Sequence, residues 1–155
     1  MNNVPPAVPL AELPLLILAS YQRLTGRALL PQSVAQEERV RWMYEDAPFC
    51  VLAHNTQADP LFIYANQAAQ RCFEYSWDEF LRVPSRLSAE TADRFERQQL
   101  LDAVTRDGFA VGYRGLRVAK SGRRFWIEDG IVWQLRDTSG RVHGQAATFP
   151  RWRDE

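Results

Sequence analysis

The chain has 155 residues, 46% of them hydrophobic, with 19 basic and 19 acidic side chains and a formal net charge of zero. That length and apolar content suit one domain built on one core. The charge balance excludes a long-range field that would hold the protein on nucleic acid or anionic lipid.

Residues 1–9, "MNNVPPAVP", carry three prolines and no burial pattern, and are expected to form a disordered lead. A helical extension over residues 10–47 follows. Leu10, Leu13, Ile17, Tyr21 and Leu24 make one helical face, Pro14 fits the first turn and Gly26 supplies the stop. Its run "LPLLILA" is too short to span a bilayer and lacks the basic start of a signal peptide, so a soluble cytoplasmic protein is expected. Ser33 with Gln36 has the spacing of a second helix start. Glu37 and Glu38 fall in its first turn, Val40, Met43, Tyr44 and Ala47 make its apolar face, and Pro48 ends it.

From residue 48 to 149 the pattern is mixed. "FCVLAH" and "LFIYAN" read as strands joined by the turn "NTQADP", which predicts a hairpin. Asn66 is placed to cap the helix in which Ala68, Ala69, Cys72 and Phe73 recur at helical spacing, and Ser76 with Glu79 has capping-box spacing. "SRLSAETADRFERQQLLDAVTRDG" predicts a helix with Leu100, Leu101 and Val104 on one side and Gly108 as its C-terminal cap. "FAVGYRGLRVA", "RFWIEDGIVWQL" and "RVHGQAATF", separated by "KSG" and "DTSG", predict an antiparallel meander. In its middle strand Phe125, Ile127, Ile131, Trp133 and Leu135 are expected on one face, with Trp126, Glu128 and Gln134 on the other. Residues 150–155 are a C-terminal tail. The order of elements is α+β, with helices expected over one apolar sheet face.

These segments carry a resemblance. "LLILASYQRLTGRALL", "APFCVLAHNTQADPLFIYANQAAQRCFEYSWDEFLRVPSRLSAE" and "YRGLRVAKSGRRFWIEDGIVWQLRDTSGRVHGQAATF" resemble the bacterial stand-alone MEKHLA domain, a PAS-related family, over about residues 13–149. The resemblance implies a five-stranded antiparallel sheet with helices on one face, an interior of the kind PAS relatives use for ligands, cofactors or signal transmission, and frequent self-association. The Asn-Cys-Arg-Phe-Leu run of flavin-binding photosensory relatives is not matched, since the nearest stretch is "AQRCFEY". Haem-binding relatives use a histidine on a helix, whereas His54 and His143 fall in or beside predicted strands. No cofactor is named on these grounds.

Several residues invite chemistry and are weighed against plainer roles. Cys50 and Cys72 are too few for a disulfide framework and sit among apolar neighbours, as reduced core residues do. His54 with Asp59 is too small a set for a metal and reads as turn stabilisation. Glu128 and Asp129 point to opposite faces and form no catalytic pair. Regular alternation would bury Asp129 among Ile127, Ile131 and Trp133, while a bulge at Gly130 would turn it to solvent, the preferred alternative. His143 and Gln145 share a face with Ala147 and Phe149 and could meet a ligand or the backbone. Arg114, Arg117, Lys120, Arg123 and Arg124 surround one hairpin, where acidic cross-strand partners are expected. Of the five tryptophans, Trp126 is expected on the outer sheet face.

The functional expectation is a non-enzymatic sensory or regulatory module that accepts a small apolar or aromatic molecule, with Tyr64, Phe73, Trp133 and Gln145 as lining residues. A homodimer and a partner protein are expected; nucleic acid and membrane are not. The rival is a ligand-free module that dimerises or docks a partner through the N-terminal helix and the outer sheet face. An enzyme ranks last, because no nucleophile, base and orienting group converge.

Overall fold

The computed structural model describes residues 11–88 and 94–155, so the expected lead at residues 1–9 and Leu10 lie outside the described residues. Helix α1 (Leu13–Thr25) has Pro14 in its first turn and ends at Gly26, whose φ of 75° is a left-handed cap that a side chain would strain. A 3-10 turn (Gln36–Glu38) leads into α2 (Arg39–Glu45). Neither start has a side-chain cap, so the start expected at Ser33 and Gln36 does not form. Instead Val34 donates its N–H to Pro31 O at 3.2 Å and buries its side chain, which leaves Ser33 in a turn.

Strands β1 (Cys50–His54) and β2 (Phe62–Ala65) form the expected hairpin. Then come α3 (Gln67–Phe73), α4 (Trp77–Phe80), a 3-10 turn (Ser85–Ser88) and α5 (Arg94–Asp107). Both caps are made: Asn66 accepts from Ala69 N–H, and Ser76 with Glu79 completes a reciprocal box. The predicted meander is β3 (Phe109–Val118), β4 (Arg124–Arg136) and β5 (Val142–Phe149). The antiparallel order is β2-β1-β5-β4-β3. The expected tail adds a sixth strand. Pro150 lacks an N–H and interrupts the ladder, after which β6 (Arg151–Asp154) pairs with Phe125–Glu128 of β4.

Alternation along β1 divides the core in two. Cys50 and Leu52 join the cluster under α3 and α4, while Val51 and Ala53 join the cluster under α1. α3 and Phe80 of α4 therefore cover one face, and α1 covers the other together with Trp77 of α4. Leu13, Ile17 and Tyr21 are spent on this sheet. Full burial of side chains of this size stabilises by about 2 kcal/mol each. Trp133 is fully buried there, its ring 4.9 Å from that of Tyr21 and its Nε1–H donating to Ser20 Oγ at 3.1 Å.

β4 serves both clusters, which corrects the single face expected for its apolar residues. Phe125 and Ile127 pack with the α3–α4 cluster, whereas Ile131, Trp133 and Leu135 pack with the α1 cluster. The phase changes at Asp129, whose φ of 55° is left-handed, and Gly130. The expected bulge is there. Asp129 is exposed and pairs with Arg151 of β6.

Candidate functional site

A pocket of about 280 Å³ opens on the α1 side, lined by Leu13, Pro14, Val40, Arg41, Tyr44, Tyr64 and Trp77. Four elements meet there, and local rules position each. Pro14 fixes the first turn of α1. Tyr64 lies opposite Ala53 in the hairpin register and so projects toward the α1 cluster. Trp77 is the first residue after Ser76, held by the capping box. Tyr44 comes from the last turn of α2, which Asn66 ties in place.

Asn66 is fully buried and uses all of its amide. Its Nδ2 donates to Met43 O at 3.0 Å and Phe49 O at 2.9 Å, while Oδ1 accepts from Val51 N–H and Ala69 N–H, both at 3.0 Å. One side chain thereby joins α2, β1 and α3. Gln70 of α3 adds a second tie, donating from Nε2 to Tyr44 Oη at 3.0 Å and Ala65 O at 2.9 Å.

The rings of Tyr44, Tyr64 and Trp77 stand nearly perpendicular to one another. Their centroids are 5.7 Å apart for Tyr44–Trp77, 5.9 Å for Tyr64–Trp77 and 6.3 Å for Tyr44–Tyr64. Tyr64 is 3% exposed, and its Oη has no hydrogen-bond partner among the described residues. Burial raises its pKa, with Tyr44 adding to the effect, so the phenol stays neutral. Arg41 at the rim is held by three carboxylates: Glu38 at 2.7 Å, Asp46 at 3.0 Å and Glu45 at 3.2 Å.

A second, more polar groove of about 450 Å³ runs between the end of α1 and the β4 bulge, along Tyr21, Thr25, Arg27, Phe109, Val111, Gly112, Asp129 and Ile131. On the opposite face, Arg117 Nη2 donates to Tyr113 Oη at 3.0 Å. Burial first, and Arg117 in addition, lower the pKa of His54, while its Nδ1 lies 2.9 Å from Asn55 O. Asp59 pairs with Arg86, so His54 and Asp59 do not act together. His143 pairs with Asp137 at 2.8 Å. Cys50 and Cys72 are free and buried, and burial raises the Cys50 thiol well above its ordinary value.

The four expected lining residues do not converge. Tyr64 lines the pocket, and Trp133 shares its side of the sheet but is sealed beneath α1. Phe73 packs in the opposite cluster, 5.1 Å from Phe125 and 5.7 Å from Phe80, and Gln145 lies opposite His54 and Gln134 on that face. Tyr44 and Trp77 escaped sequence reasoning as site residues. The signals available were the apolar face of α2 and the tryptophan directly after a capping serine. The basic hairpin is paired, but by helices and β6 more than by cross-strand acids: Lys120 with Glu79, Arg123 with Glu74 and Asp154, and Arg124 with Glu155. Lys120 and the Ser76 cap hold Glu79 at a pKa of about 2. Arg114 stacks 4.4 Å over Trp126 on the outer face.

Comparison with known proteins places this geometry. The MEKHLA domain matches residues 11–154. Among solved structures, a PAS domain from Colwellia psychrerythraea superposes with a TM-score of 0.63 at 17% identity, over 77% of this chain and 95% of that one. An RNA-binding light-oxygen-voltage receptor gives 0.61 at 27% identity, over 83% of this chain but 35% of the receptor. The light-oxygen-voltage domain of a blue-light activated histidine kinase from Erythrobacter litoralis EL346 gives 0.55 at 19% identity, over 70% of this chain and 96% of that domain. No curated protein matches the sequence. The likeness extends to the α+β architecture, an antiparallel sheet of five and more strands with helices packed on it.

Proposed function

The chain belongs to the MEKHLA domain family, and from that premise we propose that it is a non-enzymatic, PAS-like sensory or regulatory module. It binds a small apolar or aromatic molecule between α1, α2, β2 and α4 and passes the bound state on through protein contacts. The observation that carries this reading is the pocket of about 280 Å³ walled by Tyr44, Tyr64 and Trp77. Its size lies near the lower end of ordinary ligand sites and its lining is apolar apart from Arg41. Among the described residues no helix is long and apolar enough to cross a membrane.

Catalysis is left out because His54, Asp59, Asp129 and His143 are committed to separate partners. Nucleic acid is left out on the zero net charge. RNA binding, a property of a receptor of which this chain spans 35%, is not carried over.

Titration of isotope-labelled full chain with indole, a neutral aromatic probe, tests the reading by NMR. Saturable shifts centred on Leu13, Tyr44, Tyr64 and Trp77 are expected. Shifts absent from these residues at millimolar indole would overturn it. The rival ligand-free dimerisation module draws on Leu15, 57% exposed on α1, and Val111, 66% exposed on β3. Light scattering of Leu15→Glu and Val111→Glu tests it, with loss of a dimer expected; removing α1 would not, because that helix is part of the core.

A further inference from the structure

We infer that the molecule taken by the Tyr44–Tyr64–Trp77 pocket is a small organic cation with a methylated ammonium head, an inference that rests on the pocket reading above and narrows it. Three aromatic rings wall the pocket at large angles to one another, and an aromatic wall attracts an apolar cation more than a neutral molecule of the same shape. Methyl groups on nitrogen suit the apolar side chains of Leu13, Pro14 and Val40 in the lining.

The protein's own cations treat these rings differently from others. Arg114, Arg117 and Arg123 lie over Trp126, Tyr113 and Phe125, at 4.4, 5.6 and 5.0 Å from the ring centres. No arginine or lysine among the described residues lies over Tyr44, Tyr64 or Trp77 in this way. The chain segment that supplies Val40, Arg41 and Tyr44 to the lining is net acidic. The segment from Gln36 to Asp46 carries Glu37, Glu38, Glu45 and Asp46 against Arg39 and Arg41, four acids to two bases, an excess of two negative charges. Arg41, although in the lining, has its guanidinium engaged by three of those carboxylates. Three lining residues have a carboxylate as chain neighbour: Leu13 follows Glu12, Tyr44 precedes Glu45 and Trp77 precedes Asp78. Tyr64 stays un-ionised, so attraction comes from the rings and not from a phenolate.

The test is calorimetric titration of the full chain with choline and with its uncharged isostere 3,3-dimethylbutan-1-ol. Choline is expected to bind about tenfold tighter. Trp77→Leu should bring the two affinities within about twofold, and Trp77→Phe, which keeps a ring, should fall between. Tryptophan-independent thermal melts of both variants establish that they fold. Equal affinity of the two probes for the unaltered chain, or binding of the alcohol alone, overturns the cation while leaving the pocket in place. Binding of neither probe, with the indole shifts present, also overturns the cation and spares the pocket. Failure of all three probes removes both.

Discussion

The two sides of the sheet bury aromatic rings by different means. Beneath α3 and α4, Phe73, Phe80, Phe125 and Phe149 are each no more than 1% exposed and meet edge to face, with Phe73 within 6.3 Å of all three. Beneath α1 and α2 the buried rings are Tyr21, Tyr64 and Trp133, with polar atoms that must be placed. Trp133 finds Ser20; Tyr44 accepts from Gln70; Tyr64 finds no partner among the described residues. The four phenylalanines of the hydrocarbon side pack against one another, and the apolar pocket of about 280 Å³ opens on the side with polar handles. In this fold the apolar interior supplies stability while the α1 side supplies candidate chemistry.

The sharpest way to break that division is at its hinge. Asn66→Ala strands two buried donors and two buried acceptors and should cost about 4 kcal/mol, read by denaturant unfolding. A loss below about 1 kcal/mol would mean that water replaces the amide. Phe73→Ala on the hydrocarbon side should cost about 3 kcal/mol or more through the cavity it leaves, with indole binding to the surviving folded fraction unchanged. Altered binding there would join the two sides functionally.

Smaller effects refine the comparison. Ser20→Ala leaves the Trp133 indole N–H without its acceptor and should cost about 1–2 kcal/mol. Tyr64→Phe removes a buried hydroxyl that has no partner among the described residues, so unfolding experiments should give a neutral change or a gain of up to about 1 kcal/mol. A clear loss would reveal a bonded water. The smallest effect concerns His54, whose pKa burial lowers from its ordinary 6.5. The unfolded chain takes the proton first as pH falls, so this contribution is present above about 6.5 and is lost below it. Unfolding midpoints at pH 7.5 and 5.5 should differ, and His54→Gln should shrink the difference.

Much of this was legible because the governing signals are local. Asn66, the Ser76–Glu79 box, Gly26 and Gly108 each state where a helix begins or ends, and turn clusters separate the strands. What escaped depends on tertiary choice. The stripe Leu13–Ile17–Tyr21 announces an apolar face without saying which side of a sheet will receive it. The change of phase at Asp129 needs only one left-handed residue, and an aspartate is compatible with it, so period-two reading carried Trp133 to the wrong cluster. β6 is four polar and aromatic residues after a proline, too short to show a pattern, yet Glu128–Arg153 and Asp129–Arg151 pairs hold it. The pocket draws on residues 13, 40, 44, 64 and 77, a set no spacing rule connects.

The amide of Gln70 has a mechanical consequence. It grips Tyr44, a wall of the pocket, and the carbonyl at the end of β2, from the middle turn of α3. A change in the tilt of the Tyr44 ring must therefore either stretch that grip or carry α3 with it.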